Sequence, residues 1–135
     1  MSPDAMLLTL AMRALAWTSD TDALAAAIMA EARTWDEATL AAAVVFREAS
    51  NRLYIVGDRG RALCAMQLHN APRAVLTDAR LCVRIGLQRL RASAALCPAQ
   101  PLAAYAGAPC GSAVAGRISR DRDRVRRRAF GAGAP

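Results

Sequence analysis

Apolar residues recur at helical spacing through most of this chain, and polar breaks divide them into a few elements. Ser2-Pro3-Asp4 reads as a helix start, with Ser as cap and Pro at the first helical position. The apolar run over residues 6–10 leads into an amphipathic helix that should reach about Trp17. Thr18 to Asp22 is a polar break that caps a second helix carrying Leu24, Ile28 and Met29 inward. Thr34 and Glu37 form the Thr-x-x-Glu capping-box pattern, which starts a third helix at about Trp35. Ala49-Ser50-Asn51 ends it, with Asn51 a candidate left-handed residue.

The period then changes. Residues 53–56 read as a strand, Gly57-Asp58-Arg59-Gly60 as its turn, and residues 61–64 as the return strand. A loop over 69–75 contains Pro72, and Thr77 caps a long helix over 78–96 with the stripe Leu81, Cys82, Ile85, Ala92 and Leu96. Leu87 and Leu90 widen its apolar arc, so this helix should be contacted on two sides. Pro98 and Pro101 punctuate the chain, a short helix over 101–106 presents Tyr105, and 107–111 is a loop. Ser112 caps a last helix carrying Val114, Ile118 and Val125. The pattern predicts a mainly helical α+β fold with one small β-hairpin, a single domain over 1–130 and a flexible tail over 131–135.

Composition sharpens this. At 135 residues the chain suits one domain with a real core. Aromatics are only 4% while apolar residues are 55%, much of it Ala, so the core must be aliphatic and tightly spaced. No stretch approaches the roughly 20 apolar residues of a membrane span. The N-terminus lacks a basic region before its apolar run, so it reads as a helix and not as an export signal.

The net charge is +7, and every one of the eighteen basic residues is Arg. A basic surface favours anionic partners, whether nucleic acid, acidic lipid or an anionic wall polymer. The Arg-dense segment 117–128 could be a nucleic-acid arm. Its interleaved Asp121 and Asp123 instead favour a solvated helix face laced with Asp–Arg pairs, so nucleic acid is not the expected partner.

Cys64, Cys82, Cys97 and Cys110 contain no Cys-x-x-Cys pair, and the single His69 has no metal-like spacing to them, so neither a metal nor another cofactor is expected. Two disulfides can form in three ways, and four buried free thiols are the alternative. The pairing Cys97–Cys110 is favoured because it would staple the loop around Tyr105, which leaves Cys64 with Cys82.

One acid stands out. Leu40, Val44 and Glu48 lie four apart on one helical face, so Glu48 shares a stripe with two aliphatic residues. It also falls in the last helical turn, where the backbone carries partial negative charge. Apolar neighbours and that dipole both disfavour the carboxylate, which makes Glu48 a candidate general acid. An ordinary solvated Glu at a helix end is the plain alternative.

Three motifs follow in order: Glu48-Ala49-Ser50, Cys64-Ala65-Met66-Gln67 and Ala104-Tyr105-Ala106-Gly107. Over residues 34–110 their order and spacing resemble the lysozyme-like superfamily, in its soluble lytic transglycosylase and goose-type lysozyme branch. Ala49 stands where that branch has Ser, Cys64 where it has Gly and Ala106 where it has Asn. The resemblance implies a lysozyme-like helical domain that cleaves the MurNAc–GlcNAc β-1,4 bond of peptidoglycan, acting on the cell wall from outside the cytoplasm or by phage delivery. It implies Glu48 as acid and then base, with Ser50, Met66, Gln67 and Tyr105 about the saccharide and the Tyr105 hydroxyl orienting the acid. His69 and Asn70 would stand at the cleft edge.

Ordinary glycoside hydrolysis uses two carboxylates, and Asp58 is the nearest second acid, although Asp is also a common turn former. One acid suffices if the muramoyl 6-hydroxyl attacks its own anomeric carbon to give a 1,6-anhydro end, and this fits the sequence slightly better. Glycan strands are the expected partner and a monomer the expected state. Two other readings stay open: a weakly active lysozyme-fold module that binds cell wall or builds a larger assembly such as a phage particle, and a basic nucleic-acid-binding helical domain.

Overall fold

The computed structural model describes residues 1–131. Residues 132–135 of the expected tail lie outside them. The described chain forms five α-helices and one two-stranded antiparallel sheet, a mainly helical α+β architecture. Among the described residues no helix is long and apolar enough to cross a membrane.

Helix α1 spans Pro3–Leu15, with the Ser2 hydroxyl accepting from the Ala5 N–H at 3.2 Å and Pro3 in the first turn. It stops at Leu15 rather than near Trp17: Ala16 is extended, and the Asn51 side-chain amide donates to the Met12 and Ala16 carbonyls at 2.9 Å each, covering the helix end. Leu8 and Met12 are fully buried. Helix α2, Thr21–Glu31, buries Leu24 and Ile28, whereas Met29 is only half-buried. Asp20 precedes it but does not cap it; its carboxylate accepts from the Leu53 N–H at 2.8 Å and fastens the segment after the third helix.

Helix α3, Trp35–Ala49, is the hub and packs against each of the other four helices. The Thr34 hydroxyl accepts from the Glu37 N–H at 3.1 Å, and Glu37 reaches back to the Arg33 N–H at 2.9 Å, one residue beyond the usual capping-box partner. Ala38, Ala41, Ala42 and Ala43 are all buried. Their small side chains let the neighbouring helices approach closely, so an alanine-rich core can be dense with few aromatics. The helix ends on two left-handed residues, Ser50 (φ 50°) and Asn51 (φ 60°), where a single one was expected.

The hairpin is shorter than its sequence pattern. Strand β1 is only Val56–Gly57 and pairs with β2, Ala62–Leu63, in the register Val56–Leu63 and Gly57–Ala62. Residues 53–55 form a bend instead, held by the Cys64 N–H on the Ile55 carbonyl at 2.9 Å. Tyr54 is 60% exposed, so nothing packs on that side to extend the ladder. The connection is a four-residue loop, 58–61, in which Asp58, Arg59 and Gly60 are all left-handed (φ 46°, 56° and 87°) and the Arg61 N–H closes back on the Asp58 carbonyl at 3.1 Å.

Helix α4, Ala79–Leu96, is capped by the Asp78 carboxylate on the Leu81 N–H at 3.0 Å, and not by Thr77. Its buried face is Cys82, Val83, Gly86, Leu87, Leu90 and Ser93. The expected stripe is therefore rotated; Ala92 is exposed and Leu96 is 74% exposed. Gly86 turns the helix this way, because a Cβ there would meet the Met66 Cγ at 2.8 Å. Only glycine lets the buried Met66 lie flat against the helix.

Residues 101–107 make successive turns rather than the expected short helix, with Ala103 bonding back to Gln100, Ala106 to Leu102 and Gly107 to Ala104. This mixture of three- and four-residue closures does not propagate past Gly107, which is left-handed at φ 74°. Helix α5, Ala113–Phe130, starts on the Ser112 hydroxyl and returns along α3, burying Ala115 and Val125 while Val114 stays exposed.

Cys64 is bonded to Cys82 and Cys97 to Cys110, across sequence separations of 18 and 13 residues. The first ties the hairpin to α4. The second ties the end of α4 to the loop after Tyr105. Closing loops of this size stabilises the fold by about 3 kcal/mol each in the chain-entropy account.

Candidate active site

The C-terminal end of α3, the hairpin turn, the 64–69 return and the 101–107 turns meet around a groove of about 280 Å³. Glu48, Asp58, Met66, Gln67, His69 and Tyr105 line it. Four separate chain segments thus bring together most of the residues singled out from the sequence.

Glu48 sits in the last turn of α3 as expected, but its surroundings differ from the expected apolar enclosure. Leu40 is half-buried and Val44 is buried one turn below, whereas the Glu48 side chain is 34% exposed. Its Oε1 accepts from Arg122 Nη2 of α5 at 3.3 Å. The helix turns far enough between Val44 and Glu48 for the carboxylate to leave the core and meet a cation. Desolvation is therefore not the influence that surrounds this acid; a guanidinium is.

Arg122 is itself only 16% exposed, and its Nη1 also donates to Asp121. Its Nε is buried with no protein partner. Arg47 pairs with Asp121 from the other side at 3.0 Å, and Arg126 one turn along α5 reaches Asp36 and the Thr39 hydroxyl of α3. The Arg-dense segment is thus partly a structural strap across α3. Sequence reasoning did not connect Arg122 with the site; the signal was the spacing of Arg122 and Arg126, four apart on one face with Asp121 beside them.

Gln67 is held from two sides. Its backbone is left-handed (φ 51°), and its Nε2 donates to the Cys64 carbonyl at 2.9 Å. A Cβ on Gly57 would collide with Gln67 Oε1, so the hairpin glycine makes room for the amide. One amide N–H and the oxygen's outer lone pairs are left for a ligand. Cys64, in the place where the resembled motif has glycine, is also left-handed (φ 63°), a backbone state that disfavours residues with a Cβ.

Tyr105 is held by its backbone N–H on the Ser93 hydroxyl at 2.9 Å, and its own hydroxyl donates to the Met66 carbonyl. It does not donate to Glu48, as the resemblance implied, because the buried carbonyl takes the proton first. Burial pushes the Tyr105 phenol up from its ordinary value, and the Glu48 charge adds to this while Arg89 and Arg122 oppose it. The group stays a neutral hydrogen-bond donor beside the acid.

Met66 lines the groove while its side chain is fully buried and packs in the core against Gly86, and its carbonyl accepts from Tyr105. Two other expectations need correction. Ser50 does not line the groove; it caps α3 through its left-handed backbone, its N–H on the Phe46 carbonyl at 2.8 Å. Asn70 is exposed and left-handed (φ 53°) and lies beyond the groove lining.

His69 and Asp58 form one edge of the groove, with His69 Nε2 3.4 Å from Asp58 Oδ2 and both about half exposed. Asp58 is therefore both a turn former and a carboxylate at the site. Among the described residues no group of three or more His, Cys, Asp or Glu side chains is placed to hold a metal ion. No family model, curated protein or solved structure matches the chain.

Proposed function

We propose that this protein cleaves the glycan strands of peptidoglycan, with Glu48 protonating the glycosidic oxygen. The observation that carries the reading is the shared groove: an acid at a helix end, a fixed glutamine and a half-buried tyrosine, drawn from three segments spread over residues 48–105, line one cleft. The left-handed backbone at Cys64 adds support, since the resembled motif has glycine at that position.

In the first step Glu48 gives its proton to the leaving oxygen as the bond to the anomeric carbon breaks. The muramoyl 6-hydroxyl then attacks that carbon, and the Glu48 carboxylate takes the hydroxyl proton. A 1,6-anhydro end forms and the acid is restored. Gln67 offers its free amide N–H to the sugar, and Tyr105 keeps the Met66–Gln67 segment in place. If Asp58 takes part, it stabilises the oxocarbenium-like centre or directs a water, and the end is reducing. Digestion of purified sacculi followed by mass spectrometry tests this: anhydro-ended muropeptides are expected, and undigested sacculi would defeat it.

One observation favours a second reading. Arg122 donates to the Glu48 carboxylate and so occupies one of its oxygens, and alanine at positions 49 and 106 leaves no side-chain polar group where the resembled motifs have Ser and Asn. A weakly active module that binds wall polymer would have these features. Pelleting with sacculi without release of fragments would identify it.

A further inference from the structure

Five arginines are half-buried in the described structure: Arg13, Arg89, Arg91, Arg122 and Arg126. Four of them meet a carboxylate, Arg13 on Asp22, Arg91 on Glu37, Arg122 on Glu48 and Asp121, and Arg126 on Asp36. Arg89 has no acidic partner among the described residues. Its Nη1 donates to the His69 carbonyl and its Nη2 to the Asn70 carbonyl at 3.5 Å. Neutral carbonyls fix the guanidinium without cancelling its charge, and they leave donors free.

Arg89 lines a second depression of about 350 Å³ whose other walls include Leu68, Ala92, Leu96 and Ala104. Gln67, His69 and Tyr105 line both this depression and the groove that holds Glu48, so the two share a wall. Leu96 is 74% exposed there, an apolar side chain that the fold itself does not cover. A fixed, uncompensated cation among small apolar surfaces suits a carboxylate carried on a short aliphatic group, because apolar walls strengthen the charge interaction and a guanidinium can grip a carboxylate at two points.

We propose that the Arg89 depression is a second arm of the groove, which receives a carboxylate-bearing aliphatic substituent of the ligand, such as a short peptide attached to a glycan strand. The sugar part of that ligand rests on the cleavage reading; the carboxylate part rests on Arg89 alone.

The test uses the full chain and N-acetylmuramoyl-L-alanyl-D-isoglutamine, compared with the same compound converted to its γ-carboxamide, in chemical-shift titrations. The acid form should bind at least about tenfold more tightly than the amide, a difference of about 1.4 kcal/mol. Arg89→Gln should abolish the preference and Arg89→Lys should keep part of it. Leu96→Asp, at an exposed position that leaves the core untouched, should also lower it by setting a like charge against the carboxylate. Equal binding of acid and amide, absence of binding by both, or a preference that survives Arg89→Gln overturns the proposal. Parallel digestion of peptide-bearing and peptide-stripped glycan separates the two ideas. Cleavage of both without carboxylate preference in binding leaves the cleavage reading standing and removes the Arg89 arm. Carboxylate preference without cleavage of either substrate keeps the arm and removes the cleavage reading.

Discussion

Glu48→Gln keeps the shape of the side chain and a hydrogen-bonding group but removes the proton that the proposed chemistry delivers. Loss of general-acid assistance lowers the rate by about 10²–10⁴-fold. The same change perturbs the fold in a direction that the structure sets. Glu48 meets Arg122 at 3.3 Å, between side chains that are 34% and 16% exposed. Arg122 keeps its second carboxylate, Asp121, so only part of its compensation is lost. Ion pairs with this much solvent contact contribute at most about 1 kcal/mol. For a domain of this size, 1 kcal/mol moves the melting temperature by roughly 4 °C. The expected outcome is a collapse of muropeptide release from purified sacculi, followed by mass spectrometry, together with a fall in melting temperature of about 2–4 °C. An acid enclosed by apolar groups would behave differently, since removing its charge would hold or raise stability. Retained activity would remove Glu48 as the acid. A raised melting temperature would show that the Arg122 contact does not stabilise the fold.

Asp58→Asn should leave turnover within a few-fold of the parent and the product ends anhydro, read by the same mass spectrometry; a loss as large as that in Glu48→Gln, with the fold intact, would make Asp58 a second catalytic acid. The Tyr105 phenol is raised in the folded state, so its contribution to stability is present below the ordinary phenol value of about 10 and is lost as pH rises beyond it. Melting temperature should therefore drop above about pH 10, and Tyr105→Phe should flatten that drop while lowering stability at neutral pH by about 1–3 kcal/mol, because the Met66 carbonyl loses its donor. The double change Cys97→Ser with Cys110→Ser opens a 13-residue loop and should cost about 3 kcal/mol by denaturant titration. If stability does not change, the loop at Tyr105 is held by its hydrogen bonds alone.

Local signals fixed much of what was legible along the chain. Ser2, Thr34 and Ser112 each accept the backbone N–H expected of a helix cap, because capping depends on a few adjacent residues. The stop after Ala49 was equally local, and so was a turn after Val56, although the strand pairing places it at residues 58–61 and not 57–60. The order of Glu48, Gln67 and Tyr105 was visible too, although not that one groove would hold them. What failed depended on packing. The face that α4 buries was set by Gly86 against Met66, a contact between segments twenty residues apart that no periodicity encodes. The strand over 53–56 shrank because no partner covers Tyr54.

The environment of the acid lay furthest from the sequence. An aliphatic stripe below Glu48 predicts desolvation if nothing else approaches, and the sequence offered no reason to place the chain's last helix there. Folding brings α5 across α3, and Arg122 arrives from 74 residues away to meet the carboxylate. The contrast between Arg122 and Arg89, one compensated and one not, belongs to the tertiary structure for the same reason. Residue types and spacing determine which groups a helix can present, but a charge acts through space, and only the packed chain decides which charges come within reach of one another.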